Sequence, residues 1–262
     1  MFYGIAAGHV DTTGYEVEQV LEDIESLNRR ALLGELEVSA VSIHAYAHLA
    51  EGYALMSCGA SMGDGYGPCV VAREAIGVEQ LRSKRIAIPG TLTSAYLALQ
   101  LLLGTELDTV VVRFDRIPEA VRTGEVDAGL IIHEGQLTYE SEGLHLTVDL
   151  GIWWRDRTEG LPLPLGGNAV RRDLGAETMT RLTRMLRESI DYGLQHRDAA
   201  LAYAADFGRG LDDRLTDRFV GMYVNELTRD YGDRGRQAIR RFLAEGSAAG
   251  LVPRIGDVEF VA

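Results

Sequence analysis

The sequence predicts an α/β fold, because strands and helices alternate along the first half of the chain. Short apolar runs are separated by helical stretches that end at glycine, a pattern typical of parallel sheets covered by helices. The chain has 262 residues, of which 46% are hydrophobic, so it can bury a large core. This length lies near the point at which a single core divides, and both one large domain and two lobes are compatible with it.

Five strands are predicted in the first half of the chain. Each is a short run of apolar and often β-branched residues. The runs span residues 38–43, 69–73, 85–90, 109–114 and 128–132. A glycine-rich segment at residues 59–68 precedes the second strand and is predicted to be a loop.

Helices are predicted between these strands and throughout the last third of the chain. They span residues 16–33, 44–50, 93–103, 117–123, 176–206, 211–229 and 232–249. In the first helix, Asp23 and Ser26 are both candidate N-caps, and Gly34 ends the helix. The last three helices are rich in Arg, Asp, Glu and Ala, and we interpret them as scaffold.

Two segments of the chain resemble each other. Residues 34–37 (GELE) lead into a strand followed by His44, and residues 124–127 (GEVD) lead into a strand followed by His133. The similarity is short, so chance and two similar lobes are both open interpretations. In open α/β sheets, ligands bind beyond the carboxyl ends of strands. Two facing lobes would therefore bring residues 42–44 and His133 to one cleft.

The charge of the chain argues against two classes of partner. The net charge is −13, from 26 basic and 39 acidic residues. A surface this negative repels phosphate backbones and anionic lipids, so neither nucleic acid nor a membrane surface is expected.

The expected compartment is the cytoplasm. No run of 18 apolar residues occurs, and the segment Met1–Ile5 lacks the charged and apolar regions of an export signal. The only two cysteines, Cys58 and Cys69, do not have the spacing of a zinc or CxxC motif, and buried free thiols are expected instead.

Thr93 and Ser94 form the first candidate binding site. They follow Pro89-Gly90 at the predicted junction of a strand and a helix. Free N–H groups and the positive end of the helix dipole favour an anion there, such as a substrate carboxylate. A simple N-cap is the alternative interpretation.

Histidines form the second group of candidates. His133 ends an apolar strand, where it could serve as a general base or as a hydrogen-bonded structural residue. His44 and His48 have the i, i+4 spacing of metal ligands, but no third ligand is evident, and packing is favoured over zinc. Trp153 and Trp154 are predicted in a loop, where they would either wall a flat ring or fill a lobe interface.

Several motifs together resemble the 1,4-dihydroxy-6-naphthoate synthase family of the futalosine route to menaquinone. The resemblance covers nearly the whole chain, and its most specific parts are the HE-x-x-x-TY and WW…GLPLPLGG patterns. The matching segments are Val20–Gly34, Gly63–Pro68, Ile86–Tyr96, Leu130–Tyr139 and Asp149–Gly167.

The resemblance implies a two-lobed fold of the type II periplasmic-binding-protein kind, in which each lobe is a mixed sheet flanked by helices. Residues 1–73 and 161–262 would form the larger lobe and residues 74–160 the smaller one, with the active-site cleft between them. A small carboxylated substrate is implied, namely cyclic dehypoxanthinyl futalosine. No cofactor and no metal are implied, and a homodimer is left open.

The resemblance also implies roles for individual residues. His133 matches the catalytic base that starts carbon–carbon cleavage, which releases dihydroxyacetone and leaves the aromatic naphthoate. The substrate contacts are matched by Thr93 and Ser94 and by a second segment made up of Ser39, Ala40, Val41 and Ser42.

Two other functions remain open, and one departure from the family stands out. A chorismate dehydratase-like sister enzyme would share the fold, and a solute-binding protein for a small carboxylate would use the same cleft without chemistry. Members of the family begin with a strand and an SPxPxD loop, whereas Met1-Phe2-Tyr3 corresponds to the end of that loop. We therefore expect the first strand to be missing from this chain and the pocket to be incomplete.

Overall fold

The protein consists of two mixed sheets flanked by helices, as seen in a computed structural model that describes residues 1–205 and 213–262. The strands are β1 (Val38–Ser42), β2 (Tyr53–Met56), β3 (Ser61–Gly63), β4 (Cys69–Ala72), β5 (Arg85–Ile88), β6 (Asp108–Val111), β7 (Ala128–Ile131), β8 (His145–Asp149), β9 (Leu163–Arg171) and β10 (Phe260–Val261). The helices are α1 (Tyr3–Ala6), α2 (Ile24–Leu32), α3 (Ile43–Leu49), α4 (Ser94–Leu103), α5 (Ile117–Thr123), α6 (Gly135–Thr138), α7 (Leu150–Arg157), α8 (Ala176–Gln195), α9 (Arg197–Ala205), α10 (Asp213–Tyr223), α11 (Glu226–Arg229) and α12 (Gly232–Ala248).

The first sheet has the order β1-β9-β2-β10, with β3 also paired to β9. The long strand β9 is antiparallel to β1, β2 and β3, whereas β10 is parallel to β2. Helix α2 packs on β1. This sheet joins the early part of the chain to its C-terminal part.

The second sheet has the order β6-β5-β7-β4-β8. Strand β5 is parallel to β6 and β7, whereas β4 is antiparallel to both β7 and β8. The expectation of parallel sheets is therefore wrong for β4 and β9, while the mixed sheets implied by the family resemblance are observed. The carboxyl ends of β5, β6, β7 and β8 consequently lie at one edge of this sheet.

Two crossovers connect the sheets, at residues 64–68 and within residues 150–162. Strand β4 was assigned to the larger lobe, but it is hydrogen-bonded within the second sheet, so the first crossover precedes it. The crossovers are in contact: the Leu150 N–H donates to the Pro68 carbonyl at 2.9 Å. A Cβ at Gly67 would lie 2.7 Å from the Gly151 nitrogen, so this approach requires glycine.

One hydrophobic cluster includes side chains from both sheets and from the helices that cover them. Trp154 is fully buried in it and packs edge-on against Phe242 of α12, with ring centroids 5.2 Å apart. Its indole N–H donates to the Pro162 carbonyl at 3.1 Å.

The prediction that the two tryptophans lie in a loop is wrong, because α7 contains both. Trp154 fills the core, and Trp153 is half-buried with Arg157 over its ring.

The helix boundaries show where local signals were sufficient. Helix α2 begins after Asp23, whose carboxylate accepts hydrogen bonds from the Glu25 and Ser26 N–H groups, so Asp23 and not Ser26 is the N-cap. The single helix predicted at residues 176–206 is divided at His196 into α8 and α9. Residue 206 ends one predicted helix and residues 211–212 begin the next, and all three lie outside the described residues. Across the described ranges, no helix is long and apolar enough to cross a membrane.

Candidate active site

The carboxyl edge of the second sheet gathers the candidate residues that follow its strands. Because β5, β6 and β7 are parallel, the segments that lead away from them open on the same edge. Thr93 follows β5, Phe114 follows β6 and His133 follows β7. Asp149 ends β8 at this edge, opposite Cys69 in the register of β4. Four strands thus end at one edge of the sheet.

His133 lies at this edge in an unusual backbone conformation. Its φ is 57°, a left-handed value that costs about 1–3 kcal/mol for a residue with a side chain. Its ring is partly exposed and meets Phe114 edge-on at a centroid distance of 4.9 Å. The ring centroid of Phe219 in α10 lies 6.5 Å away. The imidazole is therefore near two aromatic rings without being fully buried.

Thr93 and Ser94 are buried and hydrogen-bonded to protein groups. The Thr93 hydroxyl donates to the Gly90 carbonyl at 2.9 Å and accepts from the Tyr96 N–H at 3.3 Å, which makes Thr93 the N-cap of α4. The Ser94 hydroxyl donates to the Leu165 carbonyl at 2.6 Å. The capping interpretation of Thr93 is therefore observed, while carboxylate binding at this helix terminus stays a prediction.

His44 joins the first sheet to this helix terminus. Its backbone N–H donates to the Ser94 hydroxyl at 3.1 Å, and its Nδ1 lies 3.2 Å from the Thr93 carbonyl, to which it can only donate. Burial lowers the pKa of His44 to about 4, so the ring is neutral at pH 7. His48 is exposed, with its ring 5.9 Å from that of His44. Since Nδ1 of His44 carries a proton, this nitrogen does not present a lone pair to a metal.

Asn28 connects Ser42 to the loop before α4 and was not recognised in the sequence. The Ser42 N–H donates to the Asn28 Oδ1 at 2.8 Å, and the Asn28 Nδ2 lies 3.1 Å from the Ser42 hydroxyl. The same Nδ2 is 3.4 Å from the Leu92 carbonyl. Asn28 is fully buried on the face of α2 that also contains Ala31. An asparagine on the apolar face of a predicted helix is the signal that could have identified it.

Glu25 is a second residue of α2 that the sequence did not reveal. Its carboxylate accepts from the Leu92 N–H at 3.1 Å and from Arg29 at 2.8 Å. A Cβ at Gly90 would lie 2.5 Å from the Glu25 Cδ, so glycine is required for this contact. The helix terminus predicted to hold a substrate anion therefore already has a protein carboxylate beside it.

Asp149 forms the far side of the edge. Its Oδ1 accepts from the Gly151 and Ile152 N–H groups at 2.8 and 3.0 Å, which caps α7. Burial raises the pKa of this carboxyl above its ordinary value, against the opposing effect of its hydrogen bonds. The Cys69 thiol lies 3.8 Å from Oδ2 and has its own pKa raised by burial. Asp149 is therefore held at the N-terminus of α7, with the Cys69 thiol beside its second oxygen.

The remaining predicted contacts lie on β1. The Ser39 hydroxyl donates to the Ala40 carbonyl at 3.0 Å, and Ala40 is partly exposed. The Val41 side chain is fully buried in the core, so only its backbone could meet a ligand. The structure joins Thr93 and Ser94 to His44 by hydrogen bonds, and it joins Ser42 to Asn28. It places His133 at the end of the strand next to β5, and the roles of all these residues in binding and catalysis stay predictions.

This arrangement defines a periplasmic-binding-protein-like α/β protein, with two mixed sheets joined by paired crossovers beside a polar edge. A Candida albicans protein described as having the generic periplasmic binding protein structural fold matches it with a TM-score of 0.69 and 14% identity, over 98% of this chain and 88% of that chain. At that identity the similarity shows the fold alone.

The chain belongs to the menaquinone biosynthesis family, which it matches over residues 1–248. Proteins named 1,4-dihydroxy-6-naphtoate synthase from Thermus thermophilus and Streptomyces coelicolor are 43% and 39% identical to it. These alignments cover 96% and 89% of this chain, and 90% and 84% of the relatives. A crystal structure of an Archaeoglobus fulgidus protein has a TM-score of 0.91 and 47% identity, over 96% of this chain and 93% of that chain. The fold class and the family predicted from the sequence are therefore confirmed.

Proposed function

We propose that this protein is an enzyme, a carbon–carbon lyase that forms 1,4-dihydroxy-6-naphthoate for menaquinone biosynthesis. The substrate is cyclic dehypoxanthinyl futalosine, and the second product is dihydroxyacetone. The two relatives that bear the synthase name support this reaction. The observation that carries the proposal is the place of His133, which ends a strand adjacent to the one that leads to Thr93 and Ser94.

In this proposal, His133 is the general base. It removes a proton from the bound substrate, and the electron pair released drives cleavage of the carbon–carbon bond. Aromatisation of the remaining ring system makes the cleavage favourable. The partly exposed imidazole suits this role, because a base must reach its proton within hydrogen-bonding distance. Phe114 and Phe219 limit the positions that the imidazole ring can adopt.

The substrate carboxylate is proposed to bind near Thr93 and Ser94, with residues 39–42 as the opposing contacts. The positive end of α4 favours an anion through its backbone N–H groups and the helix dipole, and a substrate carboxylate would share this terminus with the Glu25 carboxylate beside Leu92. The Ser94 hydroxyl bridges His44 and Leu165, so a ligand that binds it would replace one of these partners.

We also propose that the enzyme acts in the cytoplasm. Both cysteines are free and buried, which suits a reducing compartment. Burial raises the pKa of the Cys58 thiol to about 12. Because the thiolate is the form that is oxidised, this thiol resists oxidation.

Turnover tests the proposal. The protein, extended at its N-terminus by the strand and SPxPxD loop that the family resemblance implies, is the parent chain; it is incubated with cyclic dehypoxanthinyl futalosine, and both products are quantified by liquid chromatography and mass spectrometry. The His133→Ala variant should lose at least about 100-fold in kcat, because a general base typically contributes 10²–10⁴-fold. His145→Ala is the matched control, since His145 is exposed at the opposite end of β8.

Three outcomes would contradict the proposal or part of it. Tight binding of the substrate without turnover would favour a solute-binding protein. Dehydration of chorismate in place of this cleavage would favour the sister enzyme. A loss of less than about tenfold in His133→Ala, with turnover intact in the parent chain, would remove His133 as the base.

A further inference from the structure

The backbone of His133 is held on both sides by a single residue, Gln136. The Gln136 backbone N–H donates to the His133 carbonyl at 3.2 Å. The Gln136 side-chain oxygen accepts from the His133 N–H at 3.1 Å. Both polar groups of the His133 backbone are thus engaged by a residue three positions later. His133 is one of only two non-glycine residues with positive φ in the described ranges, so it needs such restraint.

The nitrogen of the same amide reaches two other parts of the protein. It donates to the Gly67 carbonyl at 2.7 Å and lies 2.7 Å from the Tyr223 hydroxyl. The amide orientation follows from its neighbours, because the His133 N–H requires an acceptor and the Gly67 carbonyl requires a donor. Gly67 belongs to the first crossover, and Tyr223 ends α10. Gln136 therefore joins the strand end that presents His133 to two separate elements.

These partners are themselves fixed. The Gly67 carbonyl also accepts from the Cys69 thiol at 3.3 Å. Tyr223 is partly buried and packs edge-on against Tyr66, with ring centroids 5.7 Å apart. Of the neutral side chains, the amide of glutamine offers both a donor and an acceptor at this reach, so it can serve all three partners at once.

We infer that Gln136 is a positioning residue, which holds His133 in the left-handed conformation that aims its imidazole at the substrate. This inference rests on the proposed function for the identity of the substrate. Gln136 itself touches the His133 backbone, the first crossover and α10. Its loss frees the His133 backbone to relax toward ordinary φ values, which moves the ring relative to Phe114 and to the bound substrate.

Kinetics of two variants form the first part of the test. Gln136→Met keeps the size of the side chain and removes both hydrogen-bonding ends. Gln136→Glu keeps an acceptor for the His133 N–H and, when ionised, cannot donate to Gly67. Each variant should lose about 10–100-fold in kcat with a change in KM below threefold, because a misplaced catalytic group costs rate more than binding. Gln195→Met, at an exposed position in α8, is the matched control and should retain parental kinetics.

The ring of His133 supplies a readout that does not depend on turnover. Its carbon-bound proton resonances are assigned by their absence from the His133→Ala spectrum, and they report the ring current of Phe114. In folded Gln136→Met they should shift, while the resonances of His145 should not. If Gln136→Met fails to fold by circular dichroism, Gln136→Glu carries both measurements.

The outcomes separate the two claims. If the parent chain turns over and both folded Gln136 variants keep kcat within about threefold of it, the inference is wrong. If the parent chain does not turn over, the proposed function fails, and the His133 resonances alone decide the inference. Unchanged resonances would then overturn it, and shifted resonances would support it.

Discussion

The Glu25 carboxylate accepts a hydrogen bond from the Leu92 N–H at 3.1 Å, across the boundary between α2 and the loop that precedes α4. Glu25 is 8% exposed, so this contact is largely shielded from water. It places a negative charge near the positive end of a helix, where an anion is stabilised. The Glu25 carboxylate therefore attaches the loop before Thr93 and Ser94 to α2, which packs on the first sheet.

Gly90→Ala should destabilise the protein by about 1–3 kcal/mol, which is the usual cost of inserting a methyl group into a packed site. The added Cβ would lie 2.7 Å from the Glu25 Cγ, so the whole side chain must move. The free energy of unfolding in urea measures the effect. Gly256→Ala is the matched control, because a Cβ there meets nothing within 4 Å. If Glu25→Ala does not reduce the cost of Gly90→Ala in the double variant, this explanation of the clash is wrong.

Asn28→Ala should cost about 2–3 kcal/mol, because it leaves a buried N–H and a partly buried carbonyl without their partner. Those groups are the Ser42 N–H and the Leu92 carbonyl. Chemical denaturation checks the stability, and Leu33→Ala next to the same helix, at 75% exposure, should change it little. A cost for Asn28→Ala no larger than that of the control would show that the Asn28 network does not stabilise the fold.

The two N-cap aspartates should show opposite dependence on pH. Burial raises the pKa of Asp149 above 3.8, so its ionisation weakens the folded state as pH rises from that value through the folded pKa. Asp149→Asn keeps the cap and removes this penalty, since asparagine is an equally good N-cap. The stability of this variant relative to the parent should therefore increase with rising pH. Denaturation at a series of pH values above 3.8 measures the difference.

Asp23 supplies the reversed control. Burial opposes its ionisation, but hydrogen bonds from Ser26 and Glu25 outweigh burial and lower the pKa of Asp23 below 3.8. Its ionised form therefore stabilises the folded state above pH 3.8, and that contribution is lost as pH falls through the folded pKa. Asp23→Asn should become less stable relative to the parent as pH rises. Equal slopes for the two variants would contradict both assignments.

The adjacent tryptophans should differ sharply in their effect on stability. Trp154→Ala should cost about 3–5 kcal/mol, as for other large buried aromatic residues, because it leaves a cavity against Phe242. Trp153→Ala should cost less, since Trp153 is only half-buried. Denaturation followed by far-ultraviolet circular dichroism compares the two. Similar losses in stability for the two variants would mean that the deeper burial of Trp154 does not determine its contribution.

Strands with strong local signals were predictable from the sequence. The runs that became β5 and β7 are continuous and apolar, and each lies in the core of the second sheet. Strand β9 escaped prediction because Pro164, Gly166 and Gly167 weaken its β-propensity, and its stability comes from pairing with three other strands. Helix α7 was missed although Asp149 is a good N-cap, because Gly151 and the adjacent tryptophans resemble a loop.

The site was predictable in part. The N-cap role of Thr93 was predicted from its position between a strand and a helix. The residue pattern around His133 left a structural role open, and only the family resemblance predicted that it is a base. Gln136 could not be recognised, because one of its partners, Tyr223, lies 87 residues away along the chain. Glu25 and Asn28 act through a loop more than 60 positions distant. Such contacts depend on how distant helices and strands pack together, and a local sequence pattern does not predict that packing.

The contact between the crossovers at Gly67 and Gly151 has a mechanical consequence. A side chain at Gly151 would collide with the Tyr66 carbonyl, so the two backbones touch with no room for a spacer. Any side chain at either position would force the two connections apart, so this contact ties the crossovers together at a fixed, minimal separation. Through its hydrogen bond to Gly67, Gln136 links the segment that carries His133 to this junction of the crossovers.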